Sequence, residues 1–226
     1  MWDKINNALI VDGRWKWYFE GIGNTLLISL VAIAIGLLIG MTVALIRYVN
    51  KKFGKFKILS KIGGAYLTVF RGTPVYVQLL IMYLIVLAAC PSNLIVAVLT
   101  FGINSGAYVA EIFRAGLESV DDGQIEAGVS LGLNVFKVMV NIVLPQAIRR
   151  SLPTLCNEFI SLIKETSIVG TIGVVDITKV AERIINKVYE PFVPYIVIAL
   201  LYLVIVVVLT KLLKMLEVKL AKSDRG

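Results

Sequence analysis

Four sets of charged residues lie inside long apolar stretches: Arg71, Glu111 with Arg114, Glu158, and Lys164 with Glu165. A charge at membrane depth costs several kcal/mol, so each of these asks for a partner or a function. Glu111 and Arg114 are three residues apart, the spacing at which a helix brings opposite charges together, so they read as a structural pair. Glu158 has no base one helical turn away: Thr154 and Leu155 precede it, and Ser161 and Leu162 follow. An unpaired carboxylate in an apolar setting either takes up a proton or meets a cation. The cation could be Arg71 from another helix or something that passes through. Lys164 and Glu165 sit in KETSIVG, which suits either a mobile, unwound stretch or the wet end of a span.

These residues need elements to hold them, and composition says which kind. The chain has 226 residues, of which 58% are hydrophobic and 17% charged, with a mean hydropathy of +0.85. A water-soluble domain of this length carries more charge, so the chain reads as an all-α integral membrane protein. Helices of roughly 20 apolar residues are needed to cross. Five windows qualify as spans, at 22–46, 62–89, 94–117, 152–175 and 194–209, all within one transmembrane domain over 1–226. Met1 to Glu20 has no apolar core ahead of the first window and so is no signal peptide. Its Trp15, Trp17 and Tyr18 suit an interfacial aromatic anchor.

Charge sets the orientation. The segment after the first span carries Arg47, Lys51, Lys52, Lys55, Lys57 and Lys61 without an acid, and the tail is also basic: Lys211, Lys214, Lys219, Lys222 and Arg225 against Glu217 and Asp224. The N-terminal segment and 176–190 balance their bases with acids. Lysine-rich short segments stay inside the cell, which puts the N-terminus outside and the C-terminus in the cytoplasm. The net charge of +8 therefore reports a bilayer and not nucleic acid. With no histidine, two distant cysteines (Cys90 and Cys156), no nucleophile motif and no GxxxxGK[ST] phosphate loop, the residues give no support to an enzyme, a metal site or an ATP site.

Segment 118–150 falls on the cytoplasmic side. Within it Asp121, Asp122, Gln124 and Glu126 load the start of one short helix with acceptors. Gly132 permits a turn, and Asn134, Lys137 and Asn141 oppose Val135, Val138, Met139 and Ile142 on a second, amphipathic helix. Pro145 should end or bend that helix. Such a hairpin either lies under its own bundle or inserts into a groove on another protein. In the second span RGTP (71–74) should kink the helix at Pro74.

Several segments together resemble the membrane subunit of an ATP-binding cassette (ABC) importer, in the branch that takes up polar amino acids. The residues that carry the resemblance are Glu126, Ala127, Gly132, Ile142, Leu144 and Pro145 of the cytoplasmic signature, with Gly128 where a second alanine is usual. VFRGTPVYVQL (69–79), AYVAEIFRAGL (107–117) and LPQAIRRSLPTLCNEFISLIKETSIVG (144–170) add to it. The resemblance implies that the hairpin is a coupling element docked on a separate ATPase dimer, which binds ATP and Mg. Glu126, Ala127, Gly132, Val135, Phe136, Met139, Leu144 and Pro145 would make that coupling. It also implies a second copy of the permease, an extracytoplasmic amino-acid-binding protein, and a prokaryotic inner or plasma membrane.

In such a setting the cation at Glu158 is the cargo, and a guanidinium fits a carboxylate bidentately. Arginine is then favoured, followed by lysine, ornithine and histidine, with glutamine the main rival. Asn24, Asn104, Ser105, Asn157 and Ser161 are donors for the cargo's own carboxylate by depth alone, and each equally suits a bond between helices. The role of Arg71 stays open between pathway and packing. An ion-coupled carrier is the alternative class, although the two halves of the chain show no internal repeat.

Overall fold

The computed structural model of the chain describes residues 2–222, with side chains as far as Met215. Asp224 and Arg225, and the side chains of Glu217, Lys219 and Lys222, lie outside the described residues. Every regular element among the described residues is helical. That is what a chain must do where no water is available to its backbone.

Helix α1 (Trp2–Leu9) precedes α2 (Trp15–Phe53), a single rod of 39 residues. The apolar window 22–46 is thus only the middle of α2, because hydropathy registers where a helix is greasy and not where it ends. The aromatic expectation divides. Trp15 is exposed, and Trp17 lies under the Lys187 ammonium at 4.9 Å from the ring centre. Tyr18 is no interfacial anchor, because it is buried against Ile177, Val180 and Ala181.

After a turn at Gly54 (φ 69°) come α3 (Lys57–Gly72) and α4 (Val75–Ile81), the latter continued by a π turn at Met82–Val86. The two are bent by 107° across Thr73 and Pro74. Helix α5 (Asn93–Glu118) is central and packs along α2. Small residues allow the approach: a Cβ on Gly40 would lie 2.6 Å from Val109, and one on Gly102 would lie 2.8 Å from Ile35.

Helices α6 (Asp122–Ser130) and α7 (Val135–Val138) form the expected hairpin at one end of the bundle. A π turn at Met139–Val143 then runs without a break into α8 (Leu144–Glu165), followed by 3-10 turns at Thr166–Ile172. Helix α9 (Ile177–Val188) caps the opposite end, and α10 (Phe192–Lys222) closes the bundle.

By length and apolar composition α2, α5 and α10 can each cross a bilayer, and the bent pair α3–α4 makes a fourth. Helix α8, with the segment after it, occupies the place of the window at 152–175 and, at 22 residues, is about 33 Å long. It fails the same test of apolar character, and it carries Arg149, Arg150, Glu158, Lys164 and Glu165. Of the two outcomes that the sequence allowed at Pro145, an end or a bend, the end is not found, because helical structure continues through it.

Candidate functional site

Helix α8 begins at Leu144, ahead of the apolar window at 152–175, and so places Glu158 about 21 Å from its start. Pro153 therefore lies well inside the helix. The Ser105 hydroxyl of α5 donates to Glu158 Oε1 at 2.9 Å. No base pairs with Glu158 among the described residues, and Arg71 in particular is turned elsewhere. Asn157 is exposed and Ser161 half-buried, so the polar side of α8 around Glu158 is left uncovered by this chain.

Two of the other donors are occupied. The Asn24 amide donates to the Val175 carbonyl at 2.8 Å, tying α2 to the segment before α9. The buried Asn104 amide donates to Gln78 Oε1 at 2.9 Å and to the Phe70 carbonyl at 3.2 Å. Gln78 itself donates to the Phe70 carbonyl (2.9 Å), the Thr73 carbonyl (3.0 Å) and Thr73 Oγ1 (2.9 Å). This knot holds the bend, and the sequence reading missed it. The available signal was a lone amide, Gln78, in the apolar run VYVQLLI.

Arg71, at the last turn of α3, faces Glu111 of α5 at 3.6 Å and lies 5.7 Å from the centre of the Tyr108 ring. Glu111 also takes Arg114 (2.8 Å), as its spacing indicated, and Arg47 of α2 (3.2 Å). Arg114 reaches on to Glu118 (2.6 Å), which Lys51 also contacts (2.8 Å). Arg47, Lys51, Glu111, Arg114 and Glu118, though not Arg71, line an open cleft of about 460 Å³ toward the hairpin end, between α2, α3 and α5.

The hairpin is built by its polar residues. Asp121 caps α6 by accepting from the Gly123 N–H (2.7 Å), and Asn134 caps α7 by accepting from the Lys137 N–H (2.9 Å). Between them Gly132 adopts φ 83°, while the Leu133 and Gly132 N–H groups bond back to the Gly128 and Val129 carbonyls, the closing pattern of a Schellman turn. Lys52 of the basic segment pairs with Asp122 at 2.5 Å, so part of that charge is spent inside the chain.

The eight residues expected to make the coupling do not share one surface. Glu126, Ala127, Gly132, Val135, Phe136 and Pro145 are exposed, Phe136 by 74%. Leu144 is half-buried, and Met139 points inward with Val138 and Val143 against Ala44, Tyr48, Phe113 and Leu117. The apolar face of the second helix thus belongs mostly to the bundle. Gly128 also has a packing role: a Cβ there would meet Ile142 and Val138 at 3.0 Å. Val129 and Leu131 join Phe136 as exposed apolar residues that the sequence reading passed over.

Residues 33–222 match the family described as "Binding-protein-dependent transport system inner membrane component". A putative glutamine transport system permease protein, GlnP, of Rickettsia typhi is 39% identical over 173 residues, covering 75% of this chain and 77% of that protein. The arginine transport system permease protein ArtQ of Bacillus subtilis is 39% identical over 163 residues, 71% of this chain and 72% of its own. A solved amino acid ABC transporter with histidines superposes with a TM-score of 0.82 at 39% identity, over 90% of this chain and 94% of that one. The inward-facing MetNI methionine ABC transporter shares the fold, with a TM-score of 0.79 at 19% identity over 95% and 99% of the two chains. On the strength of these matches, the chain belongs to the family of inner membrane components of binding-protein-dependent transport systems.

Proposed function

We propose that this subunit passes a basic amino acid, arginine foremost, and that Glu158 reads the positive charge of the cargo. The chain is the permease of a polar amino acid ABC importer, with its ATPase on a separate subunit. Within that class its relatives are named for glutamine and for arginine, so the cargo has to be argued from residues. The observation that carries the proposal is Glu158, about two-thirds of the way along α8, with a single serine hydroxyl for company and, among the described residues, no base. A carboxylate so placed favours a guanidinium or ammonium over a neutral amide. Asn157 and Ser161 flank it on the uncovered side of α8 and complete the candidate contact set.

The same helix supplies the coupling. Residues 135–165 run as one rod, and Pro145 and Glu158 are 13 residues apart, about 20 Å. Closure of the ATPase pair on the exposed Phe136, Val135 and Glu126 would therefore displace the helix that carries the cargo site. A second copy of the chain would face its own α8 across the path, with the N-terminal side outside, where a binding protein delivers the cargo. The uncovered polar face of α8 supports that pairing.

The experiment is uptake into liposomes that hold the permease, its ATPase and the delivery protein. Labelled arginine should enter only with ATP and be displaced by lysine, and Glu158→Gln should lower this uptake about 10- to 100-fold. Equal uptake by the variant, or displacement by glutamine alone, would make Glu158 a packing residue and the cargo a neutral amide.

A further inference from the structure

We infer that Arg71 receives the α-carboxylate of the transported amino acid, with Tyr108 and Glu111 as positioning residues for its guanidinium. The inference rests on a cargo site at Glu158 and adds the opposite pole to it.

Charge around Glu111 does not balance. One carboxylate faces three guanidinium groups, and they share it unequally. Arg114 makes two hydrogen bonds to it and has Glu118 as well, while Arg47 stands at 3.2 Å. Arg71 is the most distant, at 3.6 Å, and its side chain is the most exposed of the three, at 43% against 30% and 33%. A cation left without a full partner at membrane depth is costly until an anion arrives. Every amino acid brings one. A guanidinium resting on an aromatic ring keeps its in-plane N–H groups free, the geometry that binds a carboxylate through two bonds.

Helix α5 sets the spacing between the two poles. Ser105 touches Glu158, Tyr108 lies beneath Arg71, and Glu111 anchors Arg71. These three residues follow one another at intervals of three, each turned about 60° round α5 from the one before. Each interval is about 4.5 Å of rise, so the poles are separated along α5 by roughly 5–9 Å. An extended arginine or lysine holds its carboxylate and its terminal cation on the order of 6–7 Å apart, from ordinary bond lengths. The cationic pole and the anionic pole therefore match the two ends of one cargo molecule.

The test is direct binding to the permease–ATPase complex in detergent, without the delivery protein, so that any discrimination is the permease's own. Arginine is compared with agmatine, the same molecule lacking the carboxylate. The unaltered complex should prefer arginine by about 10- to 100-fold. Arg71→Gln should erase that preference by weakening arginine to the level of agmatine, and Arg71→Lys should retain only part of it. A merely structural Arg71 would lower both ligands together and leave their ratio intact. Glutamine and its decarboxylated analogue 4-aminobutyramide give the same ratio for a neutral cargo, so failure of the Glu158 proposal is told apart from failure of this one. Equal binding of acid and amine by the unaltered complex, binding of neither, or a preference that survives in both variants would overturn it.

Discussion

Pro74 and Pro145 both interrupt apolar helices, and the chain answers them in opposite ways. At Pro74 the preceding Thr73 is extended (φ −121°, ψ 147°), as a residue before proline prefers, and the path turns by 107°. At Pro145 the helix continues. A proline inside a helix removes one donor and crowds the carbonyl four residues back. What differs is who takes the freed carbonyls. At the bend they are taken by side chains from a distance, Gln78 and Asn104. At Pro145 a wider π turn lies just upstream, where the Leu144 N–H bonds to the Met139 carbonyl, and the side-chain donor is the neighbouring Gln146 amide, to the Ile142 carbonyl. The first solution makes a bend between α3 and α4, and the second an unbroken helical path from the hairpin to Glu158. In the proposed coupling the bend would serve as a joint and the unbroken path as a lever.

The comparison breaks most severely at Gln78. Gln78→Leu removes three bonds to the bend and one partner of the buried Asn104, for a cost of about 2–4 kcal/mol. In a detergent-solubilised complex that should lower the melting temperature by roughly 5–15 °C. Gln146→Leu at the straight proline, where the lost bonds lie in exposed or half-buried places, should cost less than about 1 kcal/mol. Equal losses at the two positions would mean that the side-chain knot does not hold the bend.

The same contrast explains what could be read from the sequence. Glu111–Arg114, the caps at Asp121 and Asn134, and the turn at Gly132 were legible because each depends on residues a few positions apart. Ser105–Glu158, Arg71–Glu111 and Asn104–Gln78 join residues 26 to 53 positions apart, or across two helices, and no local period announces them. The alternative of an Arg71–Glu158 pair failed for that reason: depth alone cannot tell which of two deep acids an arginine will face. Met139 was misplaced because periodicity marks an apolar face without saying what covers it: Met139 lies with Val138, Ile142 and Val143 on the face packed against the bundle, while Phe136 stays out. The membrane class was legible from composition, but α8 is a site-bearing helix whose charges dilute its hydropathy.

The lever's working end offers a test of intermediate size. Phe136→Ala should leave thermal stability unchanged, because the ring is 74% exposed, yet reduce ATP-driven transport about tenfold as docking weakens. Met139→Ala should do the reverse, costing about 2–3 kcal/mol by opening a cavity beside Tyr48 and Phe113 while the surviving complex still couples. If Phe136→Ala destabilised the permease and Met139→Ala did not, the division of the hairpin into an outward and an inward face would be wrong.

The smallest effects should come from the prolines themselves. If side chains and the π turn decide the two shapes, then Pro74→Ala should keep its bend and Pro145→Ala its unbroken helix, each within about 1 kcal/mol of the parent. Spin labels at the exposed Ile62 and Leu84 report the bend directly. A straight helix would separate their backbones by about 33 Å, whereas two arms of similar length bent by 107° bring them to roughly 20 Å. A short distance retained in Pro74→Ala, lengthening only when Gln78→Leu is added, assigns the joint to the amide knot. A lengthening in Pro74→Ala alone would return the bend to the proline ring, and with it the difference between joint and lever would reduce to which proline has an extended residue before it.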